Sequence, residues 1–109
     1  MQKDLEIGIL NATYGKLLTA RQREVITQYY DYDLSLMEIA ENLEISRQGV
    51  LDAIKKGSEQ LKLYETTLNV VASKKEMNAK LRQISDLLDC GEVERAKSSL
   101  LFLTENNQE

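Results

Sequence analysis

Residues 18–56 read LTARQREVITQYYDYDLSLMEIAENLEISRQGVLDAIKK, and this stretch decides the fold. The same helix-start signal occurs in it twice. Thr19 stands three residues before Gln22, and Ser35 three before Glu38. That is the spacing of a capping box, in which a hydroxyl accepts an orphan backbone N–H while the longer side chain reaches back to the cap. Ser46 supplies a third start. Leu34 with Ile39, and Ile45 with Val50, hold the two positions of a hydrophobic staple, which fixes the direction of the incoming chain. One helix is therefore expected to start at Thr19, carry Val25, Ile26, Tyr29 and Tyr30 on its apolar face, and stop at Asp31, Tyr32 and Asp33. A second should run from near Leu36 to near Leu43, and a third from Ser46. So short a gap between the last two forces a steep crossing, the geometry of a helix-turn-helix.

Counting that unit from Leu36, the positions expected to be buried are Ile39, Ala40, Leu43, Ile45, Val50 and Ala53, and all six are apolar. Ala40 is the small residue that lets the two helices approach at their crossing. The turn position, where glycine is usual because the backbone tends to positive φ, carries Glu44, at a cost of about 1 kcal/mol.

Outside this stretch the pattern stays helical. Leu5 to Leu18 presents Leu5, Ile9, Ala12 and Leu17 broadly on one face. From Leu63 a heptad-like stripe runs through Thr67, Val70, Lys74, Met77, Leu81, Ile84 and Leu88, with Gly57 and residues 69–73 as places for a break. The stripe is longer than one trihelical unit can cover, so part of it should be buried against the last helix or in a homodimer. Gly91 fits a helix C-cap, and a final helix from Glu92 to about Glu105 precedes a tail, Asn106 to Glu109, expected to fray. The expected organisation is all-α: residues 1–62 contain the helix-turn-helix at about 18–56, and residues 63–109 form a packing or dimerisation extension on the same core.

Composition narrows the function. The 109 residues include no proline and five glycines, so little interrupts a helix. With no histidine and only Cys90, the usual general base, nucleophile pairs and transition-metal ligands are missing. An enzyme, a cofactor and a metal site are not expected. Hydrophobic residues make up 42% and charged residues 29%, ordinary for a globular chain. No stretch is long and apolar enough to span a membrane, Met1 to Glu6 lack the features of a signal peptide, and a lone cysteine suits a reducing compartment, so a cytoplasmic location is expected. The net charge of −4 sets the chain apart from strongly basic nucleic-acid binders.

The motifs LTxRQREV, SLxEIA and ISRxxV within residues 18–56 resemble region 4 of bacterial sigma factors. With the Tyr29, Tyr30 cluster, SRQGVLDAIK and the continuation LxxYE at Leu61 to Glu65, the chain more closely resembles the YlxM family. That resemblance implies a sigma-region-4-like helix-turn-helix fold and DNA binding. It also implies a regulatory or accessory role in the signal recognition particle pathway, because the family's genes lie beside those of the particle's GTPase and its receptor.

The candidate nucleic-acid contacts are Arg47, Gln48, Lys55 and Lys56 on the recognition helix, with Arg21 and Arg23 in support. Gln48 can pair with adenine and Arg47 with phosphate or guanine. The places after Arg47 carry Gln48, Gly49, Leu51 and Asp52, so two basic positions expected from the sigma resemblance are lost and an acid appears; residues 18–63 carry six bases against eight acids. Tyr29 and Tyr30 fall on the apolar face and read as core, Tyr32 as the freer ring. The helix-turn-helix points to nucleic acid and the long apolar stripe to a second copy of the chain, while the YlxM resemblance implies the particle's RNA or its GTPase as partners. The function is expected to be that of a nucleic-acid-binding regulator in protein targeting. The alternatives are a DNA-binding transcriptional regulator and a protein-interaction module that binds no nucleic acid.

Overall fold

Both capping boxes form in the computed structural model, which describes residues 3–106. Thr19 Oγ1 accepts from Gln22 N at 3.2 Å while Gln22 Oε1 accepts from Thr19 N at 3.3 Å. Ser35 and Glu38 exchange the equivalent pair at 3.1 Å each. These caps start α2 (Ala20–Ile26) and α3 (Leu36–Leu43), and Asp4 caps α1 (Leu5–Tyr14). A 3-10 turn, Gly15–Leu17, ends the first helix. The apolar segment after Ile26 stays helical but widens into a π turn, Thr27–Asp31, before Asp33 turns the chain at φ 54°. Then α4 runs unbroken from Arg47 to Leu68, α5 from Val70 to Asp89 and α6 from Val93 to Asn106. The described residues are all-α. None of these helices is long and apolar enough to cross a membrane.

The chain divides into two compact units, Met1–Val71 and Ala72–Glu109. In the first, α2 is the central element because its adjacent residues Val25 and Ile26 point into different clusters. Ile26 joins Ile7, Leu10, Tyr14, Leu18 and Leu61, with Tyr30, Tyr64 and Val71 at the margin. Val25 joins Ile39, Val50 and Ala53, and around them pack Tyr29, Leu34, Ala40, Leu43 and Ile45. All six positions expected from the helix-turn-helix spacing thus lie in one cluster, together with both staple pairs. Tyr32 stands exposed, as its sequence position suggests.

The face of α1 differs from expectation. Leu5 is 83% exposed, and Ile9, Ala12 and Leu17 are exposed too, while Ile7, Leu10, Asn11 and Tyr14 are buried. Spacings of three, one and three place these four on one side of a helix. Asn11 hides the pattern in the sequence. Its Nδ2 donates to Thr27 Oγ1 at 3.1 Å, while its Oδ1 is buried without a hydrogen-bond partner.

Gly57 does not break α4. A Cβ there would stand 3.1 Å from Ile26 Cγ1, a tight contact, so the bare backbone gives the Ile26 side chain room between α2 and α4. The break comes at Asn69, which adopts φ 55°, a conformation Asn tolerates better than most residues. Tyr14 fixes the place. Its hydroxyl donates to Glu65 Oε1 at 2.5 Å and accepts from Val70 N at 3.0 Å, while Glu65 Oε1 also accepts from Val71 N at 3.1 Å. The first N–H groups of α5 are satisfied by side chains from α1 and α4. Burial and the Glu65 carboxylate push the Tyr14 phenol above its ordinary pKa. Leu61, Tyr64 and Glu65, the residues of the LxxYE motif, thereby close the first unit.

In the second unit, α5 and α6 form a hairpin around Ile84, Ala96 and Leu103, with Met77 and Leu87 beside them. Gly91 ends α5 at φ 80°, and Glu92 N donates to Leu87 O at 2.8 Å across the turn. Of the stripe read from the sequence, Met77 and Ile84 pack in this hairpin, whereas Leu63, Val70, Leu81 and Leu88 remain exposed.

Candidate nucleic-acid interface

The turn between α3 and α4 keeps the helix-turn-helix backbone without its usual glycine. Glu44 sits at φ 54°, ψ 44°, its N–H directed at Ala40 O and Glu41 O, and Ile45 N donates to Ala40 O at 3.1 Å. These bonds close the C-terminus of α3 and aim the chain into α4. Ser46 Oγ then accepts from Gly49 N at 2.9 Å. The N–H groups of Arg47 and Gln48 belong to the first turn of α4, where a helix leaves its donors without intrahelical acceptors and carries partial positive charge.

At 100° per residue, the buried residues Val50, Ala53, Gly57 and Leu61 define one side of α4, and the opposite side carries Gln48, Lys55 and Lys62 in one row. Leu51 and Asp52 flank that row, and Arg47 stands at its N-terminal end. All of them are exposed. Lys62 was not among the residues expected from the sequence, because a break at Gly57 was open there; seven residues from Lys55, it continues the row once α4 is one helix. Asp52 Oδ2 lies 3.2 Å from Lys56 Nζ, so the acid on this surface is paired locally with one of the candidate bases.

The two arginines of α2 separate. Arg21 Nη1 donates to Leu43 O at 3.5 Å, which places it beside the helix-turn-helix turn. Arg23, two residues on, faces the other way: its Nε lies 3.7 Å from where a Cβ on Gly15 would be. Arg21 thus lies beside the turn that leads into α4, Arg47 and Gln48 stand in the first turn of that helix, and Lys55, Lys56 and Lys62 lie further along it.

Another basic residue positions the unit from a distance. Lys3 Nζ donates to Tyr29 O and Leu34 O, both at 2.8 Å, pairs with Asp33 at 3.1 Å and stands 3.9 Å above the Tyr29 ring. It ties the π turn to the approach of α3. A single lysine in an acidic N-terminal segment carries no periodic signal that would have revealed this.

The profile of the UPF0122 family, described as "Putative helix-turn-helix protein, YlxM / p13 like", matches residues 1–100. The chain belongs to this family. It is 44% identical to the UPF0122 protein of Caldanaerobacter subterraneus subsp. tengcongensis over 84 residues, covering 77% of this chain and 72% of the relative. Against the Clostridium kluyveri protein the identity is 43% over 89 residues, 82% and 80% of the two chains. The Desulforamulus reducens protein is 37% identical over 116 aligned positions, spanning 100% of this chain and 99% of that one. In this UPF0122 protein the helix-turn-helix consists of α3, the Glu44 turn and α4.

Proposed function

We propose that this UPF0122 protein is a nucleic-acid-binding regulator that docks the exposed face of α4 and acts in the signal recognition particle pathway, in the cytoplasm. The observation that carries the binding is the coincidence of the α4 N-terminus with Arg47 and Gln48 in its first turn, with Arg21 beside the turn that leads into it. Unpaired first-turn N–H groups and the helix dipole favour a phosphate there, and the two guanidinium groups add charge. Gln48 is then the side chain able to read an adenine edge in a major groove, while Lys55 and Lys62 follow the backbone. Arg23 faces elsewhere and has no part in this contact. The targeting role rests on the YlxM resemblance.

The Asp52–Lys56 pair and the exposed Leu51 favour a second reading. They reduce the positive charge in the middle of the face and add an apolar contact, features that suit a protein partner. The particle's GTPase is then the candidate.

A retention assay separates the two. The particle's RNA, random duplex DNA of equal length and the particle's GTPase serve as baits for the wild type and Arg47→Ala at two salt concentrations. The proposal expects retention on the RNA above that on random DNA. Arg47→Ala should reduce the salt dependence by about one unit of log–log slope, the signature of one lost phosphate contact. Retention on the GTPase alone, unchanged by Arg47→Ala, would replace the first reading with the second.

A further inference from the structure

We infer that the break at Asn69 is a conformational latch: Tyr14 holds α4 and α5 apart, and its release lets residues 47–89 run as a single helix. The sequence across the break is compatible with continuity. Residues 58–90 hold neither glycine nor proline, so no residue obliges the helix to stop. The stripe that starts at Leu63 passes through Thr67, Val70, Lys74 and Met77 at spacings of four, three, four and three. It keeps its register through Asn69, as the stripe of one helix does.

What ends α4 comes from elsewhere in the chain. Asn69 stands at φ 55°, ψ 29°, in the left-handed region. In a continuous helix Val70 N and Val71 N donate to the carbonyls of Thr66 and Thr67. Here Val70 N donates to the Tyr14 hydroxyl at 3.0 Å and Val71 N to Glu65 Oε1 at 3.1 Å. The same hydroxyl donates to that Glu65 oxygen. One phenol therefore takes the first N–H directly and holds the carboxylate that takes the second. Val71 also packs at the margin of the cluster of Ile7, Leu10, Tyr14 and Leu61, which adds to the hold.

The two forms are close to balance. Both N–H groups are satisfied in either one. The left-handed residue favours the single helix, while the Tyr14–Glu65 bond and the seat of Val71 favour the break. Tyr14 is the side chain that decides, and it lies at the C-terminus of α1. A partner that shifts α1 thus acts on the start of α5 through this one hydroxyl. The ring itself is 3% exposed and packs against Tyr64 with centroids 6.1 Å apart, so phenylalanine keeps the packing and loses only the latch.

The test measures the spacing across the break in the full chain. Gln60→Cys and Asn78→Cys, at exposed positions in a Cys90→Ser background, carry spin labels. Eighteen residues of straight helix make five turns and separate the two backbones by about 27 Å, and a break brings them nearer. Distances from pulsed electron paramagnetic resonance should lie mainly below that value when residues 14 and 69 are native. Tyr14→Phe should raise the fraction near 27 Å at least about tenfold, because the hydroxyl it removes bonds a carboxylate as well as an N–H. Asn69→Ala leaves Tyr14 in place and should act in the same direction; the double variant should be mainly straight, and Asn69→Gly should remove the long component. A folded Tyr14→Phe chain without the 27 Å component overturns the latch, as does one whose distances merely broaden. Should circular dichroism show that Tyr14→Phe unfolds, Asn69→Ala decides in its place by the same criterion. The distances are read without nucleic acid, so neither result depends on the function proposed for α4.

Discussion

Replacing Glu44 by glycine should make the protein more stable, although it removes a side chain. Glu44 is held at φ 54° by backbone hydrogen bonds that close α3 and admit α4, so the conformation belongs to the turn and not to the residue. A left-handed conformation costs an L-residue about 1–2 kcal/mol. Glycine escapes that cost but gives up about 0.5–1 kcal/mol through the greater freedom of its unfolded chain. The net gain is about 0.5–1 kcal/mol, which for a unit of this size raises Tm by about 2–8 °C. All five tyrosines, Tyr14, Tyr29, Tyr30, Tyr32 and Tyr64, lie in the first unit, so tyrosine fluorescence during heating or urea unfolding reports that unit alone. Glu44→Ala is the necessary comparison, because it removes the carboxylate and keeps the strain. The reasoning is refuted if Glu44→Ala stabilises as much as Glu44→Gly, or if the glycine variant melts below the wild type.

Glu38 accepts hydrogen bonds from the Ser35 backbone N–H and hydroxyl in its capping box, and these hold its carboxyl below the usual carboxylate range. A lowered folded pKa contributes stability that is present above the unfolded value and lost as pH falls through the folded one. Urea midpoints of the wild type and Glu38→Gln should therefore differ at pH 7 and converge in acid; a constant difference would show that the charge is irrelevant. Gly57→Leu should destabilise the first unit by at least about 2 kcal/mol, because a branched side chain cannot fit where a Cβ already stands 3.1 Å from Ile26; an unchanged tyrosine melting curve would count against the α2–α4 contact. Lys3→Met keeps length and removes charge, leaving Tyr29 O and Leu34 O without their donor, and should cost about 1.5–3 kcal/mol in the same melt; a loss no greater than that of Lys16→Met would show that the clamp contributes nothing.

Residues 18–56 determined their own structure. The two capping boxes, the Ser46 cap and the staples act over three to five residues, and the apolar positions repeat at helical spacing, so the α3–turn–α4 unit and the inward Tyr29 and Tyr30 were legible from order alone. The same local logic placed Gly91 at the end of α5 and Arg47 and Gln48 at the exposed start of α4. Tertiary structure decided the rest, through contacts between residues far apart in sequence. The buried face of α1 depends on Thr27 accepting the Asn11 amide across 16 residues. The end of α4 at Asn69, and not at Gly57, depends on Tyr14 reaching Glu65 across 51 residues and on Ile26 filling the space above the glycine. Lys3 finds its two carbonyls 26 and 31 residues away. The division of Arg21 from Arg23 follows from what α2 packs against on each side, the Leu43 turn on one and Gly15 on the other. A local pattern shows which groups are satisfied nearby; whether a polar side chain can be buried, or a helix continued, depends on partners that only the folded chain brings within hydrogen-bonding or van der Waals distance.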